Sequence, residues 1–216
     1  MRFFIAIAAA VVLTSTAYAG HHEKKAVIEQ YTKIAHAMYS DSLTTAKRLQ
    51  SIVNRLIAQP TEANLAAART AWLAARVPYQ QTEVYRFGNA IVDDWEGKVN
   101  AWPLDEGLID YVAASYGAES EENPFYRANV IANKSIKISG KTVDTSRITK
   151  ALISKTLHEV NEVESNVATG YHAIEFLLWG QDLNGNGPGA GNRPASDFDP
   201  KNCSWGNCDR RAAYLK

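Results

Sequence analysis

The chain has 216 residues, with 23 Lys and Arg against 23 Asp and Glu, so no net field would recruit nucleic acid, and none is expected as a partner. This length can bury one good core, or form one bundle with a long appended loop.

Arg2 precedes an apolar run from Phe3 to Leu13, and Ala17-Tyr18-Ala19 has the small-x-small form of a signal-peptidase site. The run is shorter than the roughly 20 residues that span a bilayer. Residues 1–19 are therefore expected to be an export signal, with the mature chain starting at Gly20. Such a terminus, Gly20-His21-His22, offers an amine, backbone nitrogens and an imidazole that suit copper or nickel in a square plane, although a flexible end explains it equally.

From Val27 the positions Tyr31, Ile34, Met38, Thr45, Leu49, Ile52 and Leu56 recur at helical spacing, which predicts one long amphipathic helix ended by Pro60. Thr61 is placed to cap a second helix, with Glu62 in its first turn. This second helix carries two stripes. Leu73, Val77, Val84, Phe87 and Ile91 form an aliphatic one suited to a core. Trp72, Arg76, Tyr79, Glu83 and Arg86 form an aromatic and charged one, expected to meet another surface or line a cleft. The alternative is an Arg76–Glu83–Arg86 ladder in solvent. Pro78 should kink the helix.

Past Trp95 the pattern breaks, and Trp102 to Tyr111 reads as a loop entering a short helix. Ile136, Ile138 and Val143 around Ser139-Gly140-Lys141 predict a small β-hairpin. Asp144-Thr145-Ser146 supplies cap residues for a third long helix running to about Trp179. Its Val160, Val163, Val167, Gly170, Ile174 and Leu177 read as one stripe, with His172 and Glu175 on another side and Ala168 and Trp179 beside them.

Asn184 to Pro200 is rich in Gly, Asn and Pro and reads as a long loop. Asp182, Asn184, Asn186 and Gly187 imitate the start of an EF-hand, but Arg193 stands where the bidentate Glu is needed, so that reading is rejected. Cys203 and Cys208, close together in an exported chain, favour a local disulfide; two cysteines cannot close a tetrahedral zinc site. Asp209 to Lys216 opens a helix without a stop signal, so further chain is expected after it. The resulting class is an all-α, up-down helical bundle with a small hairpin and a long loop. Its divisions fall at 1–19, 20–183, 184–207 and 208–216.

The pair His172-x-x-Glu175 carries the most chemistry, since side chains three apart project together and can hold one ion or share one proton. Imidazole and carboxylate suit zinc or iron, yet two ligands do not make a site. Glu83 is the first candidate for a third ligand and Asp105 a weaker one. A hydrogen-bonded pair that merely orients two helices remains the competing reading. His158, four residues before Glu162, reads as an exposed ion pair. No self-contained hydrolase motif is present, so catalytic residues stay unassigned.

Gly170 to Asp182, with its Gly-x-His-x-x-Glu form, resembles the imelysin family, which includes insulin-cleaving membrane proteases and iron-regulated envelope proteins. Ala71 to Arg76 through Glu83 to Phe87, Trp102-Pro103-Leu104-Asp105, and Arg193-Pro194 with Arg210 to Leu215 are similar to further segments of that family. The resemblance implies two related helical bundles, of which this sequence corresponds to the first, so 20–183 would be an imelysin-like bundle and 208–216 the start of a truncated helix. It also implies a periplasmic or outer-envelope location, a second bundle as partner, an envelope or iron-uptake partner, and a divalent metal, zinc or iron. Three functions follow: metal binding in iron acquisition, metallopeptidase action, or a non-catalytic protein-binding module.

Overall fold

The computed structural model describes residues 16–117 and 120–216. The expected export signal lies almost wholly outside them, and the side chains of His21 and His22 lie outside what is described. Among the described residues no helix is long and apolar enough to cross a membrane.

Helix α1 (Thr16–Ala58) packs antiparallel-fashion against α2 (Glu62–Gln81) across the short link at Pro60. Thr61 caps α2 as its type and position predict: the Asn64 backbone N–H donates to Thr61 Oγ1 at 3.2 Å. Glu62 also accepts the Ala195 backbone N–H at 2.7 Å, tying the distant loop to this helix start.

Only the second half of the α1 stripe is core. Leu49, Val53 and Leu56 are buried against Leu65, Ala68, Ala71, Trp72, Ala75 and Tyr79 of α2, whereas Val27, Tyr31 and Ile34 are exposed. Of the two stripes of the second helix, the aromatic one meets another surface as expected, and the aliphatic one does not form the core. Trp72 and Tyr79 are buried, while Leu73, Val77, Val84, Phe87 and Ile91 face outward, Phe87 being 98% exposed. The reason is that the small residues Ala68, Ala71 and Ala75 share the aromatic side and let α1 approach closely, leaving the aliphatic side without a neighbour. The helix also ends earlier than the stripe. A 3₁₀ turn (Thr82–Tyr85) follows, and α3 (Ala90–Val99) starts anew after Gly88.

Helix α4 (Glu106–Ile109) is a single turn inside the predicted short helix. The hairpin forms as expected, β1 (Ser135–Ile138) pairing antiparallel with β2 (Lys141–Asp144), Ile136 opposite Val143. It covers a second apolar cluster that includes Leu108, Phe125, Val130 and Leu157.

The third long helix does not exist as one piece. A π-helical turn (Leu152–Leu157) stops at His158, Glu159, Asn161 and Glu162 adopt positive φ, and helix α5 (Gly170–Trp179) begins separately. Polar side chains impose the break. His158 Nε2–H donates to Gly97 O at 3.0 Å, its Nδ1 accepts the Ala168 N–H at 3.3 Å, and the Asn166 amide donates to Val160 O at 2.8 Å. These bonds give the backbone an alternative to the helical ladder. Val160, Val163 and Val167 therefore share no helix with Leu177, and Ala168 is not on the helix of Trp179. His158 is not an exposed ion pair with Glu162 either: its side chain is only 6% exposed.

Helix α5 enters the core through Tyr171, Phe176, Leu177 and Leu178 and is pinned to α2 by the Trp72 indole N–H, which donates to Tyr171 O at 2.9 Å. At its start Gly170 has φ +88°, and a Cβ there would lie 2.5 Å from Val99 O, so α3 and α5 meet where only glycine fits. The loop after α5 is anchored by Arg193 and carries a 3₁₀ turn (Ala195–Phe198) before α6 (Cys208–Leu215). Cys203 and Cys208 are bonded to each other, with Cα atoms 5.8 Å apart.

Candidate functional site

On the short helix α5, His172 and Glu175 lie three residues apart and project together, between Tyr171 and Phe176 in the 3.6-residue period, into a cleft that Phe176 also lines. His172 Nδ1 and Glu175 Oε2 are 3.0 Å apart, the imidazole mostly covered and the carboxylate 42% exposed. The Trp102 ring packs on the imidazole, centroids 4.8 Å apart at 57°. Both side chains line a cavity of about 430 Å³ whose walls include Trp72, Trp102, Glu106, Trp179 and Asp182.

Two of those acids are absent from the ligand candidates read from the sequence. Glu106 sits in the first turn of α4, half-buried, and burial pushes its carboxyl up to about 7, opposed by Arg193 and reinforced by the Asp182 and Glu175 charges. Asp182 follows α5 at the cavity rim, where its Oδ1 accepts the Asn184 backbone N–H at 2.8 Å. An acid one residue beyond Asp105 was a visible signal for Glu106. Which carboxylate faces the cavity was not visible.

The other candidates part company. Glu83 lines a separate cleft with Arg86, Glu96, Glu159 and Glu164, so the structure does not bring it to the His172 cavity. Asp105 is engaged elsewhere: its Oδ2 accepts from the Asn123 amide and from Ser165 Oγ at 2.7 Å. No Arg76–Glu83–Arg86 ladder forms. Arg86 pairs with Asp93 at 2.7 Å and Glu96 at 3.2 Å, while Arg76 reaches Asn100 and lies over the rings of Trp72, Tyr79 and Tyr171 at 5.7, 5.3 and 5.1 Å. Trp179 stacks edge-on to Trp72, 5.4 Å between centroids, and so closes one wall of the cavity. Arg76 and Tyr79 are thus packing residues beneath the site.

The donor chemistry suits a divalent ion such as zinc or iron: one imidazole and several carboxylates around a cleft. The count does not close. Among the described residues no three His, Cys, Asp or Glu side chains stand close enough together to hold an ion. His172 and Glu175 would be the first donors, with Glu106 and Asp182 behind them across the cavity.

A mostly helical protein with a His–Glu pair in a largely aromatic cleft that also holds Glu106 and Asp182 is the class that these features define. The sequence pattern of the imelysin family matches residues 35–216, and the chain belongs to that family. A stretch of 78 residues is 35% identical to a protein of Synechococcus elongatus named Iron-regulated protein A, covering 36% of this chain and 22% of that protein's length.

Proposed function

We propose that this is an exported envelope protein serving iron acquisition, in which the His172 cavity takes a divalent cation. The observation that carries this reading is the placement of His172, Glu175, Glu106 and Asp182 around one cleft that no lysine or arginine lines among the described residues. A cation placed there would relieve the mutual repulsion that helps hold Glu106 up to about 7. Membership of the imelysin family and the name of the cyanobacterial relative support the link to iron. The amino-terminal segment of Arg2, Phe3 to Leu13 and Ala17-Tyr18-Ala19 supports export.

The remaining ligands are assigned to a second helical bundle, which the family resemblance implies. The exposed apolar side chains of Leu73, Val77, Val84, Phe87 and Ile91 support such a neighbour, because exposed apolar surface of this kind marks an interaction site. Leu73 also lines the His172 cavity, so a bundle seated on these side chains would stand over the site.

Elemental analysis of zinc- and iron-reconstituted protein beside a His172→Ala variant tests the reading. The variant is expected to lose the bound metal; equal metal in both removes the proposal.

One observation favours a second reading, metallopeptidase action. Such chemistry needs a group that exchanges protons near neutral pH, and Glu106 in this same cavity has its carboxyl raised to about 7. A bound ion would supply Lewis acidity there. Peptide hydrolysis that is lost in Glu106→Gln while metal content is kept supports this reading; hydrolysis unchanged in that variant removes it.

A further inference from the structure

Two mostly covered imidazoles in this chain, His158 and His172, have partners that demand opposite tautomers. At His158 the partner of Nε2 is the carbonyl oxygen of Gly97, at 3.0 Å, and Nδ1 has the N–H of Ala168 and the Thr169 hydroxyl, each at 3.3 Å. A carbonyl only accepts and a backbone N–H only donates, so Nε2 carries the proton and both nitrogens are used. At His172 the order is reversed. Nδ1 faces the Glu175 carboxylate at 3.0 Å, and the ring makes no other hydrogen bond among the described residues. An ionised carboxylate is acceptor-only, so Nδ1 carries the proton and a neutral ring keeps the lone pair of Nε2 free.

From this geometry we infer that Glu175 is the positioning residue of the site: it holds His172 as the Nδ1–H tautomer and leaves Nε2 as the atom offered to the cavity. The Nδ1–Oε2 contact at 3.0 Å is a hydrogen bond, which fixes the ring nitrogen that faces the carboxylate. Trp102 packs on the same ring, so two contacts fix the imidazole plane, the polar one choosing the tautomer. A histidine whose second nitrogen donates to a carboxylate is the arrangement that orients metal-binding imidazoles and raises their basicity. The tautomer follows from the hydrogen bond alone. Its use toward an ion rests on the cation reading above.

Two measurements separate these claims. In ¹⁵N-labelled, metal-free protein above the imidazole titration range, long-range ¹H–¹⁵N correlation reports which ring nitrogen is protonated. We expect Nδ1–H at His172 and Nε2–H at His158, the latter as internal reference. Glu175→Gln keeps a carbonyl acceptor and is expected to preserve the His172 pattern; Glu175→Ala is expected to lose it. Titration with Zn²⁺ alone is then expected to show 10–100-fold weaker binding in Glu175→Ala, and binding within a few-fold of the parent in Glu175→Gln. An Nε2-protonated His172 in the parent overturns the assignment, as does a Gln variant that binds zinc as poorly as the Ala variant. Should the parent show the expected tautomer and yet take no zinc, the positioning geometry stands and the cation reading falls.

Discussion

At the two ends of α4 the chain handles ionisable groups in opposite ways. Asp110, just past the helix, joins Asp197, Arg193 and Arg211 in a cluster with two charges of each sign and almost no exposure. Arg211 binds Asp110 at 2.6 and 3.1 Å, Arg193 donates to both carboxylates at 2.8 Å, and the Tyr111 hydroxyl donates to Asp197 at 2.6 Å beneath both guanidinium groups. Glu106, at the start of the same turn, faces a half-open cleft with two more acids and one imidazole. Burial is tolerated at the first cluster because every charge has a counter-charge. The second has an acid excess, stays partly hydrated, and has capacity to receive something positive. One cluster is closed by its own counter-charges; the other is where, on the proposed reading, a cation would bind.

Breaking that contrast at its buried end has the largest expected effect. Asp110→Ala strands Arg211 and Arg193 without their shared carboxylate and is expected to destabilise the fold by about 3–5 kcal/mol, read by chemical denaturation. A midpoint unchanged from the parent would show that the cluster is not structural. Gly170→Ala comes next. It puts a Cβ against Val99 O at a positive φ and is expected to cost about 1–3 kcal/mol, while also displacing His172 and so altering the cleft that Asp110→Ala tests only through global unfolding.

Glu106→Gln sharpens the comparison through pH. The Glu106 carboxyl is raised in the folded chain to about 7, above its ordinary value of 4.5, so the parent loses stability as pH rises from about 4.5 and the loss is complete once pH has passed about 7. Relative to the parent, the Gln variant should gain stability above pH 7, gain progressively less as pH falls, and match it below the ordinary carboxyl range. Denaturation midpoints across pH that run parallel for both proteins would remove the raised carboxyl. The smallest effect is expected at the exposed apolar side chains, where Phe87→Ser should change the stability of this chain by no more than about 0.5 kcal/mol, because the ring is 98% exposed. A larger loss would mean that the ring is already covered.

Local chemistry was legible where it depends on neighbours in sequence. Thr61 at its cap, the Ile136–Val143 hairpin and the Cys203–Cys208 bridge all act over a few residues, and so does the His172–Glu175 contact, which a 3.6-residue period brings together on any helix. The aliphatic stripe misled because periodicity reports that a helix has two faces and not which neighbour each will meet. The alanines at 68, 71 and 75 admitted α1 on the aromatic side, so the aliphatic side was left outward. The supposed third helix failed for a related reason. Its expected cap at Asp144-Thr145-Ser146 lies at the end of β2 and in the turn after it, the π-helical turn starting only at Leu152, and the polar side chains His158 and Asn166 found partners at Gly97 and Val160 that compete with the helical ladder.

The amino-acid sequence by itself determined the helical class, the short-range contacts and the identity of the His–Glu pair, since each follows from backbone period and side-chain type. Only the tertiary structure decided that Glu106 and Asp182, rather than Glu83, share the cavity with that pair, and that Asp110 is neutralised while Glu106 is not. Convergence of residues about 70 positions apart depends on how whole elements dock. That docking is set by packing of many side chains at once, and no single stretch of sequence records it.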